Sequence, residues 1–349
     1  MIDPVIFSFH IGSFSIALRW YGVLVMTGAV VAAWFAEREV TRRGEKGQMI
    51  WDALIWLLPA GIIGARLWYV INATLGGDPY FRDNPSQIVN IPQGGLHIYG
   101  GLLLGGIVMF FFLRHHKMDI WLFLDSIAPT VLLGQAIARP ANFINQELYG
   151  QPTTLPWGIP IDAVHRIGVY RDLAQYPLET TRFHPTFAYE MIWNFLAFAL
   201  IIYLTRRFYD RLKPGTVFFG WLVLAGVGRV FVEFFRPDQP KIGDLGFSYS
   251  ALVFGLMAIV GAVMLLARYK AINLKFAENW EEEYKLSSPM DQIGEKPAAA
   301  ATEEEAAPRV RKAASKPKSA STKKAAPKKG AAKTIEEPST RSTRTKKSS

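Results

Sequence analysis

Long apolar runs alternate with short polar connections along the first 270 or so residues of this 349-residue chain. Seven of those runs approach the ~20 apolar residues needed to cross a hydrocarbon core of about 30 Å. They predict membrane helices at about 15–36, 50–71, 97–113, 119–138, 187–205, 216–235 and 248–268. The fourth and sixth runs also carry charged residues. The expected fold is an all-α integral membrane protein of seven transmembrane helices.

Loop charges orient those helices. Arg38, Arg42, Arg43 and Lys46 follow the first run, and Arg114 and Lys117 the third. Arg206, Arg207, Arg211 and Lys213 follow the fifth, and Arg268, Lys270 and Lys275 the seventh. The positive-inside rule makes these alternate loops cytoplasmic, so the N-terminus lies outside and the C-terminus inside. Two longer segments then face outward: an arm at 72–96, rich in Gly, Pro, Asn and Asp, and a head at 140–186 with repeated prolines and short alternating stretches. The arm and head belong to one membrane domain over 1–275, the head irregular or β-containing. Residues 276–349 form a cytoplasmic tail, Lys/Ala/Pro-rich and disordered from about 290.

Composition changes the picture twice. The formal charge of +10 belongs to the tail: residues 308–349 hold 14 Lys/Arg against 2 Glu, and the other 307 residues hold 25 Lys/Arg against 27 Asp/Glu. The tail suits loose attraction to anionic membrane lipids. Its lysines lack interleaved aromatics, so nucleic acid is not an expected partner. Cysteine is absent, which excludes a disulfide framework, a thiolate metal site and a thiol nucleophile of the chain's own. No cofactor and no metal site is expected. No basic n-region precedes the first run, and no cleavable signal peptide is expected.

Arg19, Arg66, Arg139, Arg229 and Arg236 sit inside or at the edge of the apolar runs. A charge at membrane depth is costly and usually faces a protein interior or wet cavity. With the orientation above, all five and Glu233 fall in the outer half of the bilayer. Asp125, near the cytoplasmic start of the fourth helix, is the main exception. Convergence of those arginines would build an anion site beneath the outer headgroups.

The densest polar stretch runs from Arg139 through Asn142, Asn145 and Glu147 to Gly150. Pro140 forces a bend where the fourth helix meets the interface, and the two asparagines can partner the exposed backbone there. An interfacial cap with a snorkelling Arg139 is the plainer alternative. Arg229, Glu233 and Arg236 return to one helix face at i, i+4 and i+7. They are either a structural ion pair or, with two arginines on one glutamate, a surplus charge for a phosphate. Gly101 and Gly105 have the spacing of close helix packing, while His97 and Tyr99 beside them are either interface aromatics or proton carriers. Tyr21 follows Arg19 and Trp20 in a set that also reads as an aromatic belt. His184, with Pro185 and Thr186, opens the fifth helix.

In this order the motifs resemble the prolipoprotein diacylglyceryl transferase family of bacteria, over about residues 10–270. The family signature Gly-Arg-x-Gly-Asn-Phe-x-Asn-x-Glu-x-x-Gly is met by Ala138, Arg139, Pro140, Ala141, Asn142, Phe143, Ile144, Asn145, Gln146, Glu147, Leu148, Tyr149 and Gly150. Its polar positions and last glycine match, and both early glycines are alanine. Arg19 to Gly22, His184 to Thr186 with Tyr189 and Glu190, and Arg229 to Arg236 match in place and order.

The resemblance implies an inner-membrane enzyme that moves the diacylglyceryl group of phosphatidylglycerol onto the lipobox cysteine of a prolipoprotein signal peptide and releases glycerol phosphate. It implies that Arg139 and Arg229 clamp the phosphate, that Asn142 and Glu147 orient the headgroup or the arginines, that Asn145 belongs to the substrate-binding set, and that Glu233 positions Arg229. Tyr21, Arg66, Gly150, His184 and Arg236 would line the substrate site. Many members carry a histidine before the Gly-Gly that opens the third helix; here Tyr99 holds that place and His97 lies two residues earlier, so either is the candidate proton relay. Many also carry a tyrosine four residues before the sixth-helix arginine, where this chain has Ala225. A non-enzymatic phospholipid transporter is the alternative, but it needs arginines reachable from both leaflets. An intramembrane protease lacks its motifs here: no Gly-x-Ser-x-Gly, aspartate pair or His-Glu-x-x-His is present.

Overall fold

The computed structural model describes residues 2–11, 14–91, 94–236 and 248–287. Among them, seven helices are long and apolar enough to cross a membrane. They are α1 (Trp20–Arg42), α2 (Met49–Leu75), α4 (Ile98–His115), α5 (Ile120–Ala138), α7 (Thr186–Arg207), α8 (Thr216–Glu233) and α9 (Tyr249–Arg268). Two short helices, α3 (Tyr80–Asp83) and α6 (Pro140–Ile144), lie in the connections.

The long helices are drawn into three tight pairs by glycine. Between α1 and α5, a Cβ added to Gly28 would stand 2.6 Å from the Gly134 carbonyl oxygen. Between α2 and α4, one on Gly64 would stand 2.3 Å from that of Gly100. Between α8 and α9, a Cβ added to Gly226 or Gly261 would stand 2.5 or 2.8 Å from the Phe254 or Phe219 oxygen. No larger residue fits these contacts, which is how membrane helices associate without a hydrophobic driving force between them. Gly101 does approach Gly61, but the expected partner Gly105 faces open space, and Gly100 makes the tightest contact. Helix α7 joins α5 to α8 through Ala197, Phe198 and Ile201 against Leu132, Leu133 and Val217. The pairs α1–α5 and α2–α4 meet over Val40, Ile50, Phe112, Leu113, Leu122 and Phe123.

The first span differs from expectation. Helix α1 starts at Trp20, and the residues before it form an antiparallel hairpin of β1 (Val5–Ile11) and β2 (Phe14–Arg19). Its register pairs Phe7 with Leu18 and Phe9 with Ile16. The run 14–19 alternates apolar and other residues, a period of two that suits a strand. The fold is therefore mainly, not wholly, helical.

The head at 140–186 holds isolated bridges, Phe183 pairing with Pro152 and Ile159, around a core of Tyr149, Ile161 and Phe183. The fully buried Arg166 donates from Nε to the Ile161 carbonyl at 3.0 Å and from Nη1 to that of Tyr176. Within the stretch expected as tail from residue 276, Tyr284, Lys285 and Ser287 hydrogen-bond to Asp125, Asp119 and Glu45 of the bundle. The Lys/Ala/Pro-rich stretch expected from about 290 lies outside the described residues.

Candidate active site

Antiparallel helices bring the start of α1, the end of α2, the start of α4, the end of α5, the start of α7, the end of α8 and the start of α9 to one end of the bundle. The sequence places Arg19, Arg66, Arg139, Arg229, Glu233 and Arg236 at that end. They do not all converge.

Arg139 caps α5 and precedes Pro140, which opens α6 as a first-turn residue. The bend aims Arg139 toward α7, where Nη2 pairs with Glu190 Oε1. Arg229 approaches the other oxygen of that carboxylate, Nη1 to Glu190 Oε2, at 3.5 Å. Its Nη2 lies 3.3 Å from Glu233 Oε2, one turn on, and its Nε donates to Ser250 Oγ of α9 at 3.4 Å. Glu233 is held in turn by the Ser248 hydroxyl, which donates to Oε1 at 2.6 Å. Side chains from α5, α7 and α8 thus form a chain of alternating sign, Arg139, Glu190, Arg229 and Glu233, braced by Ser248 and Ser250 at the start of α9.

The motif after α5 extends this chain. Arg139 Nη1 donates to Asn142 Oδ1 at 3.3 Å. Asn142 and Asn145 both donate to Glu147 Oε1, at 2.8 and 3.2 Å. Positive φ at Gln146 and Leu148 turns the chain back so that Glu147 meets both amides. Arg236, expected on the sixth helix, lies three residues beyond its end and is buried; Arg229 senses it and Arg139 as like charges.

Glu190, which joins Arg139 to Arg229, is missing from the sequence-derived site. Its signal was present: a carboxylate early in an apolar run, the same argument that singled out the arginines. It also corrects the charge balance. Arg229 faces two carboxylates, Glu190 and Glu233, rather than Glu233 alone. Spare capacity remains, because Arg139 Nε is buried without a hydrogen-bond partner among the described residues. The side chains of Arg139, Glu190 and Arg229 are 19%, 13% and 17% exposed, so a ligand can reach them.

Other expected site residues go elsewhere. Arg66 gives its guanidinium to the arm: Nε donates to the Ile88 carbonyl at 2.9 Å, Nη1 to those of Gly94 and Gly95 at 2.6 and 3.1 Å, and Nη2 to that of Gln87. Gly150 is a packing point, since a Cβ there would stand 2.7 Å from the Phe235 oxygen and 2.8 Å from His184 Cβ. His184 Nδ1 faces the Tyr189 hydroxyl at 2.9 Å, and Trp157 Nε1 donates to that hydroxyl at 2.8 Å. Burial pushes the His184 pKa below its ordinary value. These three line an apolar cavity of about 360 Å³ with Ile192, Trp193, Phe231 and Phe235. His97 and Tyr99 stack on each other at 5.7 Å, with Tyr99 56% exposed. Neither bonds to the arginine chain among the described residues. Tyr21 is exposed near the start of α1.

A bundle of seven such spans that gathers guanidinium and carboxylate groups at one end is a polytopic membrane protein. The model of the prolipoprotein diacylglyceryl transferase family matches residues 4–267. Curated relatives called phosphatidylglycerol–prolipoprotein diacylglyceryl transferase agree with it. That of Enterococcus faecalis is 36% identical over 275 residues, 79% of this chain and 95% of that protein. That of Chloroflexus aggregans is 36% identical over 271 residues, 75% and 87%. A second such transferase of Streptomyces coelicolor is 38% identical over 232 residues, 66% and 69%. The chain belongs to the prolipoprotein diacylglyceryl transferase family and is an enzyme, a transferase.

Proposed function

We propose that this chain moves the diacylglyceryl group of phosphatidylglycerol onto the lipobox cysteine of a prolipoprotein, and that Arg139, Glu190 and Arg229 form the place where the donor phosphate binds. Two guanidinium groups from separate helices meeting on one carboxylate is the observation that carries this reading. A carboxylate and a phosphodiester present paired anionic oxygens, so Glu190 occupies the position between the arginines that a phosphate would take. Phosphate arriving there displaces Glu190 from one or both partners, and Glu233 with Ser248 keeps Arg229 in place meanwhile. Asn142, Asn145 and Glu147 hold Arg139 from its other side.

The cysteine sulfur of the acceptor attacks the glycerol carbon that bears the phosphate. A C–S bond forms, the C–O bond breaks, and glycerol phosphate leaves with the electron pair. The thiol proton leaves as the C–S bond forms and ends on the released phosphate monoester or in water. A free thiol has a pKa of about 8.5, and nearby guanidinium charge lowers it, so the same arginines favour the thiolate and stabilise the leaving phosphate. The basic loops after α1, α4, α7 and α9 set the N-terminus and this site outward, at the extracytoplasmic side of the bacterial inner membrane. The transferred lipid is then taken from the leaflet that prolipoproteins enter on translocation.

The test uses purified protein in detergent with phosphatidylglycerol and a lipobox peptide. The expected product is a thioether-linked lipopeptide, formed with one equivalent of glycerol phosphate. Peptide cleavage, or lipid exchange without a covalent product, would overturn the reading.

A further inference from the structure

Residues 274–287 follow α9 and lie beyond the stretch that the family model matches. They cross the end of the bundle opposite the arginine chain and touch two helix pairs. On the α8–α9 side, Trp280 packs on Phe219 at 5.9 Å between ring centres, Arg268 lies over Trp280 at 5.6 Å and donates to the Glu281 carbonyl, and Lys213 pairs with Glu282 at 2.6 Å. On the α1–α5 side, the Tyr284 hydroxyl donates to Asp125 Oδ2 at 2.7 Å. The Lys285 N–H donates to Asp119 Oδ2 at 2.9 Å and the Ser287 N–H to Glu45 Oε2 at 2.8 Å.

Asp125 is where the two sides meet. It is fully buried on α5, and its carboxylate also accepts from the Gly215 and Phe218 N–H groups at the start of α8, at 2.6 and 2.7 Å. Those N–H groups have no partner within their own helix and suit a carboxylate. Tyr284 supplies the third donor. Burial, with the Asp125 carboxylate adding to it, pushes the phenol above its ordinary range, so it remains a donor.

The arginine chain spans the same two pairs. Arg139 belongs to α5 and Arg229 to α8, so the spacing between these helices sets the distance between the two guanidinium groups. Glycine contacts hold each pair close, while the two pairs are joined through α7 and through residues 274–287, so those two connections set the spacing between pairs. Helix α8 has 18 residues, or about 27 Å, so a tilt of ~3° at its start moves its far end by about 1.4 Å. A misplacement of ~1 Å is enough to slow a reaction about 100-fold.

We propose that residues 274–287 are a strap that fixes the spacing of Arg139 and Arg229 across the bundle, with Tyr284 on Asp125 as its latch and a positioning residue for transfer. The proposal rests on the assignment of those arginines to the site. Tyr284→Phe in the full chain keeps the ring and removes the latch. It is expected to lower kcat about tenfold or more, with KM for phosphatidylglycerol within about threefold, at a temperature well below the variant's Tm. Because the chain has no cysteine, spin labels go cleanly on Met26→Cys of α1 and Val253→Cys of α9, both exposed. Their distance distribution is expected to shift or broaden on Tyr284→Phe and to stay native in a chain ended after Ser287. An unchanged kcat overturns the proposal, whatever Tm does, and so does a fall in kcat with native distances. Arg229→Ala in the same assay separates the two levels: if it stays active, the site assignment fails, whatever the strap does.

Discussion

Arg66 and Arg139 are both arginines in apolar runs at the same end of the bundle, and the structure uses them differently. Arg66 is buried and spends its donors on four carbonyls of the arm. Arg139, with Arg229 beside it, faces carboxylates and keeps part of its surface open. Carbonyl partners are fixed in a loop and neutral, so no incoming anion replaces them without unfolding the arm. A carboxylate is a mobile side chain of the same charge class as a phosphate, and the two can exchange. The partner, more than depth in the membrane, separates a structural arginine from one that handles a ligand.

The largest expected effect breaks or sustains that distinction directly. Arg139→Ala and Arg229→Ala each remove one arm of the clamp and are expected to lower kcat/KM by about 10³-fold or more, the scale of losing a charge-stabilising donor. Both variants are expected to insert and purify normally. Turnover assays with the lipobox peptide measure this, and near-normal activity in either would put the anion site elsewhere.

Glu190 comes next. Glu190→Ala leaves two guanidinium groups facing each other with no charge between them, which spreads them apart before the lipid arrives. Activity is expected to fall about 100-fold. Glu190→Gln keeps the shape and part of the hydrogen bonding, and is expected to recover at least half of that loss on a logarithmic scale. Equal losses in the two variants would mean that the charge, not the position it holds, matters.

The contrast between Arg66 and Glu190 also shows what was legible in the sequence. The seven spans and the end at which charges gather follow from local composition, because a bilayer leaves backbone polar groups few ways to be satisfied. The Arg139 to Glu147 network was legible too, since its members lie within nine residues. Glu190 was in view, but its pairing was not: its partners are 51 and 39 positions away in the sequence, and only packing of α7 against α5 and α8 joins them. Arg66 misled because its partners are backbone carbonyls, which every residue has. The hairpin before α1 was overridden by run length, although its alternation was visible.

Arg66→Ala tests the structural side of the comparison. It strands several carbonyls that the arm had paired, although water can reach some once the arm loosens. A loss of about 2 kcal/mol in stability is expected, seen as a Tm lower by several degrees. Turnover at low temperature is expected to stay within about tenfold. A variant with native Tm and no activity would place Arg66 among the ligand-handling arginines and erase the distinction.

Tyr99→Phe carries the smallest expected effect. Tyr99 is stacked on His97, more than half exposed, and bonds to no member of the arginine chain among the described residues. The phenyl ring of the variant preserves the stack. Turnover is therefore expected to stay within about twofold across pH 6 to 9. A pH–rate profile that loses one limb in the variant would bring α4 into the proton path, and would require it to close on the arginine chain during transfer.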